Sequence, residues 1–460
     1  MKNRESSDFF IHHSPFIIHH YFMGVDNPFY HRGAIRQVDS FFGRKQQLDE
    51  MLGLLRNRQS ISVVGPRRIG KSSLLLHLTR PQVRESFGLA PPDALFVLLD
   101  CQEFGGSPPE EIYEALLYGL HDSAENGGLE LKTDRSRGGT YRNLDRALNQ
   151  ATRAGASVVV LLDEFELLAA NPQLTPYFFA RLRGLTTKYG LAFVTASQRP
   201  LYAITADEAV LSSPFFNIFV QIQLGLLRET EAYGLLAHRL EGSSVQFSAD
   251  TCEYLVNLVG AHPFFLHIAG YHTFQAICND HPQEKSATRA EIADAIAVES
   301  DSHLNYLWSN LLLDEQYALA TLEGAIDIMR MLEQQCFALR DGDVYTYPGS
   351  LLCTFVRRQS VSGLIQADPF LIDQLRHHMK ANGELIPLTN SQFALMSRLG
   401  KQYGQVVQGS DLEIAVWGEI LVDDPDRLKT LIKRLRRAIG RYGDWIVSER
   451  GIGYALRKPH

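Results

Sequence analysis

The segment Gly65-Pro66-Arg67-Arg68-Ile69-Gly70-Lys71-Ser72 reads G-x-x-x-x-G-K-S. That spacing lets consecutive backbone N–H groups curl around a polyphosphate as a helix begins. The glycines permit the backbone angles and close approach that a side chain forbids, and the helix start turns its positive end to the anion. Lys71 is then placed to reach the β- and γ-phosphates, and the Ser72 hydroxyl to ligate Mg²⁺, with Ser73 opening the apolar helix Ser73–Leu78. A second constellation follows the apolar run Ser157–Leu162, as Asp163-Glu164-Phe165-Glu166. Carboxylates at the C-terminal end of a buried strand fall beside the phosphate loop of a parallel sheet. Asp163 is expected on Mg²⁺ through Ser72 and water, Glu164 is expected to orient and deprotonate the attacking water, and Glu166 is expected at the surface. The bland alternative is that these acids cap the next helix.

A third constellation lies near the end of the sequence. Over a helix expected from about Pro425 to Ile439, Leu428, Leu431, Ile432, Leu435 and Ile439 form one apolar stripe, and Lys429, Thr430, Lys433, Arg434 and Arg437 fall opposite it. Between Asp423 and Asp444, seven cations stand against four aspartates, so the segment is basic within an acidic chain, and Arg436 is expected among the DNA contacts with Lys429, Thr430, Lys433, Arg434 and Arg437. Trp445–Ser448 and Tyr454–Leu456 read as a hairpin with Arg450 at its tip, a wing able to place a cation in a minor groove. A charged helix face is usually only solvated; helix order and wing together favour a DNA surface.

These side chains need elements to hold them. Strand signals at Ser60–Val64, Ala94–Asp100, Ser157–Leu162, Leu191–Ala196 and Asn217–Leu224 alternate with helical ones, as a three-layer α/β fold with a parallel sheet requires. Arg199, just past the fourth strand, is either a γ-phosphate sensor or a solvated loop residue. Phe42 and Arg44 precede a helix with Leu48, Met51, Leu52 and Leu55 on one face; apolar residues there wrap an adenine or serve as plain core. Leu226–Tyr306 reads as helices, a lid. Leu313–Arg358 reads as a first winged helix, with a helix at Ile326–Leu339 and a hairpin turning at Asp341-Gly342. A helical linker near Pro369–Lys380 leads to the last module, where Thr389 and Gln392 form a capping box and Ser410 caps the next helix. The expected divisions are an arm at 1–39, an ATPase core at 40–225, a lid at 226–306, a first winged helix with linker at 307–376, and a DNA-binding winged helix at 377–460.

At 460 residues, 45% hydrophobic and 21% charged, the chain has room for about three domains. Its net charge of −7 argues against a chain basic all over. Five scattered cysteines without a C-x-x-C pair suggest neither a disulfide framework nor a zinc site, and no run reaches membrane-spanning length, so a cytoplasmic protein with no membrane contact is expected. The N-terminal His12, His13, His19 and His20 lack acidic or cysteine partners and read as part of an arm rather than a metal site.

Phe42-Gly43-Arg44, the loop through Ser72, Leu161-Leu162-Asp163-Glu164 and Gly260-Ala261-His262-Pro263 together resemble the STAND class of AAA+-related signalling ATPases, over roughly Ser40–Arg358. The resemblance implies ATP/ADP as ligand, Pro263 against the adenine and His262 near the phosphates. Gln392-Phe393, Val416-Trp417-Gly418, Ile432–Arg436 and Arg450–Tyr454 resemble the OmpR/PhoB-type winged helix over Glu384–Arg457. That implies double-stranded DNA as partner, with Thr430, Lys433, Arg434 and Arg437 in the major groove and Arg450 in the minor groove. The expected function is an ATP-dependent transcription regulator with slow hydrolysis and assembly into a homo-oligomer. The alternatives are a DNA-remodelling ATPase of replication-initiator or transposition-regulator type, or a nucleic-acid-sensing defence ATPase.

Overall fold

The computed structural model describes residues 26–29, 33–132, 138–204, 214–278, 288–420 and 426–459. The four N-terminal histidines and Pro425 lie outside the described residues. Five β-branched and apolar runs form β1 (Ser60–Val64), β2 (Ala94–Asp100), β3 (Ser157–Asp163), β4 (Ala192–Ser197) and β5 (Phe219–Gln223). They pair in parallel in the order β2-β3-β4-β1-β5. Because side chains alternate across a strand, each strand feeds both faces. Leu95, Val97, Val158, Val160 and Phe193 pack with helices Pro109–Asn126, Tyr141–Arg153 and Pro176–Tyr189 on one side. Phe96, Val159, Leu161 and Val194 pack with helices Lys45–Arg56 and Lys71–Leu78 on the other. This three-layer arrangement delivers the C-terminal ends of β1, β3 and β4 to one edge.

The helices Glu229–Arg239, Ala249–Val259, Pro263–Cys278 and Arg289–Ser309 share one core with Leu313–Thr321, Ile326–Gln334 and Ser350–Arg357, so lid and following unit are packed as a block. Phe29 inserts into this core, where Gly270 leaves room for its ring. In the segment expected as a first winged helix, the helix from Ile326 ends at Gln334, and Leu339 already belongs to β6 (Leu339–Asp341). That strand pairs with β7 (Val344–Thr346), and the turn between them is Gly342-Asp343, with Gly342 at φ 58°.

The expected helical linker near Pro369–Lys380 is corrected by the structure. It is an antiparallel sheet of β8 (Leu364–Ala367), β9 (Phe370–Asp373), β10 (His378–Ala381) and β11 (Glu384–Leu385), in the order β11-β10-β9-β8. Burial alternates along β8, leaving Ile365 and Ala367 inside, which is the period of a half-buried strand. Ile365, Phe370, Ile372 and Met379 pack beneath helix Asn390–Lys401, so this sheet shares the core of the C-terminal helices. β12 (Val406–Gln408), β13 (Ile446–Glu449) and β14 (Gly453–Leu456) complete that unit in the order β12-β14-β13. Thr389 caps its first helix reciprocally with Gln392. Ser410 does not cap the second: that helix runs Gly409–Trp417, and Gln408 precedes it.

The two halves meet at a polar joint. The Tyr317 hydroxyl donates to Asp373, and Glu323 receives both Lys380 and Arg376, the latter at 2.7 Å. No described helix is long and apolar enough to cross a membrane.

Candidate nucleotide site and nucleic-acid interface

The phosphate loop joins β1 to helix Lys71–Leu78. Gly70, at φ 107°, is the residue before the helix and adopts a backbone that L side chains rarely take. Lys71 is buried, and its ammonium donates to the carbonyls of Gly65 at 2.9 Å and Pro66 at 3.1 Å. Burial lowers the Lys71 pKa, against the pull of Glu164, Glu166 and Asp163. The loop therefore holds a cation against two of its own carbonyls, a group able to exchange them for phosphate oxygens.

Asp163, at the end of β3, accepts a hydrogen bond from the Ser72 hydroxyl and another from the Glu164 N–H at 3.1 Å. Burial raises its pKa and the Ser72 bond works against that rise. Glu164 sits in the left-handed region at φ 48°, an unusual backbone for this residue that aims its carboxyl into the cavity. Its pKa is raised by burial first and by the charge of Glu166 second. Glu166 is therefore not a plain surface residue: it is half-buried, it faces Glu164, and it accepts the Gln198 N–H at 3.1 Å. The period of the short helix Phe165–Ala169 turns Glu166 back toward β4, which adjacency in sequence could not show.

Lys71, Ser72 and Glu164 open on a cavity of about 220 Å³, and Asp163 and Glu166 stand behind them, outside its lining. Arg67, Arg68, Ile69, Gly70, Lys71, Ser72 and Ser73 line one side, with Glu164 at its base. Phe42 and Arg44 line another, and Pro263 and Phe264 come from the lid. Gly65 and Pro66 support the loop from outside this lining. Arg44 is a strut: its guanidinium donates to Ile69 O at 3.2 Å, Gly225 O at 2.7 Å and Leu226 O at 3.3 Å, and burial brings its pKa down to about 10. Phe42 is both lining and core, its ring 5.1 Å from that of His238. Arg199 is exposed and outside the cavity. His262 is also outside it, fully buried with its ring 4.9 Å from that of Phe265, and burial followed by His303 holds its pKa down to about 3. Sequence reasoning missed Gly33, Ala34, Ile35 and His267 in the lining. The Ile35 N–H donates to the Ser73 hydroxyl at 3.0 Å, a contact across 38 residues with no local signature.

The second site is the helix Arg427–Ala438. Leu428, Leu431, Ile432 and Leu435 are buried, whereas Lys429, Thr430, Lys433, Arg434 and Arg437 are exposed. Arg436 is turned away from that face: it donates to Ile446 O at 3.1 Å and Ser448 Oγ at 3.0 Å, bracing the helix against the wing. Arg450 is exposed at the wing tip, next to Gly451 at φ 79°. The pair Lys429–Asp426, at 2.9 Å, is exposed on both sides and so worth little in water. Arg427, absent from the expected contacts, stacks over Trp417 at 4.8 Å at the edge of this face.

Residues 55–323, more than half of the sequence, match the family described as Novel STAND NTPase 2. The chain belongs to that family. Residues 383–456 of this STAND NTPase match a second family, Transcriptional regulatory protein, C terminal. Over 97 residues the STAND NTPase is 35% identical to the sensory transduction protein RegX3 of Mycolicibacterium smegmatis, which is 20% of this chain and 42% of that protein. Over 103 residues it is 31% identical to the virulence transcriptional regulatory protein PhoP of Salmonella typhi, 22% of this chain and 46% of that one. The chain thus spans less than half the length of these curated relatives. In fold it is similar to the Walker-type ATPase paby2304 of Pyrococcus abyssi, with a TM-score of 0.53 and 16% identity, covering 72% of this chain and 99% of the other. The C-terminal unit of the STAND NTPase is a winged helix of OmpR/PhoB type, and the outward face of its helix Arg427–Ala438 is cationic.

Proposed function

We propose that this STAND NTPase is a DNA-binding transcription regulator whose ATP state governs its winged helix. The observation that carries the reading is the coexistence, in one chain, of a lidded phosphate-loop cavity and an open cationic helix face. In the cavity, ATP takes the place of the Gly65 and Pro66 carbonyls on Lys71, and the backbone N–H groups from Arg68 to Ser72 cradle its phosphates. The Ser72 hydroxyl and Asp163 carboxylate are hard oxygen donors already in contact, a pair that fits Mg²⁺, which would supply charge neutralisation for the phosphates. Glu164, its pKa raised by burial and by Glu166, orients the attacking water and takes its proton. Phe42 and Pro263 flank the adenine. Hydrolysis is slow and serves to reset the switch.

Closure of the lid moves a block that includes the first winged helix, because the two share one core. On DNA, Lys429, Thr430, Lys433, Arg434 and Arg437 face the major groove and Arg450 the minor groove, while Arg436 holds helix to wing. One winged helix binds modestly; two tethered by ATP-dependent association gain by effective concentration.

The test is to sequence the DNA retained by the protein and titrate a recovered site with ATP, ADP and no nucleotide. Specific sites whose affinity depends on nucleotide are expected. Arg437→Ala should weaken DNA binding and lower the salt slope by about one while sparing ATP binding. Lys71→Ala should abolish ATP binding and leave the nucleotide-free DNA affinity in place. DNA affinity indifferent to nucleotide in the wild type would overturn the reading.

A further inference from the structure

Two side chains of the phosphate loop reach out of it to the lid. Arg67 and Arg68 are exposed, and each guanidinium lies over an aromatic ring. Arg67 is 4.6 Å from the ring centre of Tyr306, in the last turn of helix Arg289–Ser309. Arg68 is 4.3 Å from the ring centre of Phe264, in the first turn of helix Pro263–Cys278. Both distances are those of a cation held against the negative face of a ring. Arg67, Arg68 and Phe264 also line the cavity, so the cations that fasten loop to lid are the ones a polyphosphate would attract.

The competition has a definite winner. A guanidinium at an exposed ring gains a modest quadrupole attraction, whereas the same guanidinium on a phosphate gains a charge-assisted, often bidentate pair. His303, one turn before Tyr306, lies 5.0 Å from the Phe264 ring. Burial, together with Arg68 and Arg67, holds its pKa down to about 4, so no further cation is drawn to these rings near neutral pH. Just beyond Tyr306, Trp308 packs edge-on against Phe355 of the first winged helix.

We infer that Arg67 and Arg68 form a latch between phosphate loop and lid, resting on Tyr306 and Phe264 and drawn off those rings by the phosphates of a bound nucleoside triphosphate. Each phosphate contact is thereby made at the expense of a loop-to-lid contact, and the lid is freed to reseat. This rests on reading the cavity as the nucleotide site.

The sign of one substitution separates the latch from mere packing. Tyr306 is 41% exposed, so Tyr306→Leu does not threaten the core. Calorimetric titration of the full chain with Mg·ATP is expected to show Tyr306→Leu binding about two- to fivefold tighter than wild type, the equivalent of one exposed ring contact no longer to be broken. Arg67→Ala is expected to bind ATP more weakly, and in that background Tyr306→Leu is expected to change nothing, since the two positions act as one pair. Tyr306→Leu that weakens or leaves ATP affinity unaltered, or that has the same effect with Arg67→Ala as without it, overturns the latch. A folded wild-type protein that takes up no ATP overturns the nucleotide reading itself, a result separable from the former because it appears before any variant is made.

Discussion

Gly65 stands where the phosphate loop leaves β1, and replacing it by alanine tests how tightly the sheet edge defines that loop. A Cβ at Gly65 would lie 2.4 Å from the carbonyl oxygen of Leu224 and 3.1 Å from Cγ2 of Ile69. Neither neighbour is free to retreat. The Leu224 N–H donates to Val64 O at 2.7 Å and the Gly65 N–H to Ser197 O at 3.1 Å, stitching the loop entrance between β5 and β4. Reaching an ordinary contact distance requires a shift of roughly 1 Å. Overpacking of this kind costs about 1–3 kcal/mol, and weakening one of the two backbone bonds adds about 1 kcal/mol, so a loss of about 2–4 kcal/mol is expected. For a unit of this size that lowers the melting temperature by roughly 4–16 °C. The assay is scanning calorimetry with the transitions resolved separately, since a chain with several cores need not unfold in one step. Gly225→Ala is the control: nothing lies within 4 Å of the added carbon, and its melting should stay within about 0.5 kcal/mol of wild type. ATP affinity should fall in Gly65→Ala alone. If the two variants melt together and bind ATP alike, the steric argument is refuted.

Two further predictions concern titrating groups. Glu166→Gln removes the charge that helps to raise the Glu164 pKa, so the acid limb of the ATPase pH profile should move to lower pH; a limb that stays put or rises would remove Glu164 from the role of base. His262 is held neutral in the folded protein down to about pH 3, whereas the unfolded chain takes up a proton near pH 6.5. Its contribution is therefore full above pH 6.5 and is lost as pH falls below it, at about 1.4 kcal/mol per pH unit. Stability measured by denaturant between pH 6.5 and 5 should accordingly decline more gently, by about one proton, in His262→Leu than in wild type. Equal slopes would show that His262 does not set the acid limit.

What could be read from the sequence was chemistry that is local or strictly periodic. The phosphate loop, the strand ending in Asp163, the Thr389–Gln392 box and the stripe Leu428–Leu435 each depend on residues within a few positions of one another, and each forms where its pattern places it. The helical expectation for Pro369–Lys380 failed because strands of four residues are too short for periodicity to distinguish. A turn signal was nevertheless present: Asn382-Gly383, at φ 49° and 84°, joins β10 to β11 with Ala381 opposite Glu384, the commonest dipeptide for a two-residue hairpin. Ile35 and His267, which escaped notice, reach the cavity only through tertiary packing, as Glu166 reaches Glu164 and the Gln198 N–H. Arg436 illustrates the converse. Its charge placed it with the DNA contacts, but its position on the helix points it at the wing carbonyl of Ile446.

The polar joint at Tyr317, Glu323, Asp373, Arg376 and Lys380 has a consequence for the target itself. Fastened in this way, the reading head is not on a leash. On the proposed pairing of two copies through their ATPase cores, the outward cationic helices would be presented at a single separation and phase around the duplex. A paired operator must then repeat its motif at one interval, and inserting half a helical turn between the repeats should abolish joint occupancy where a tethered head would simply stretch.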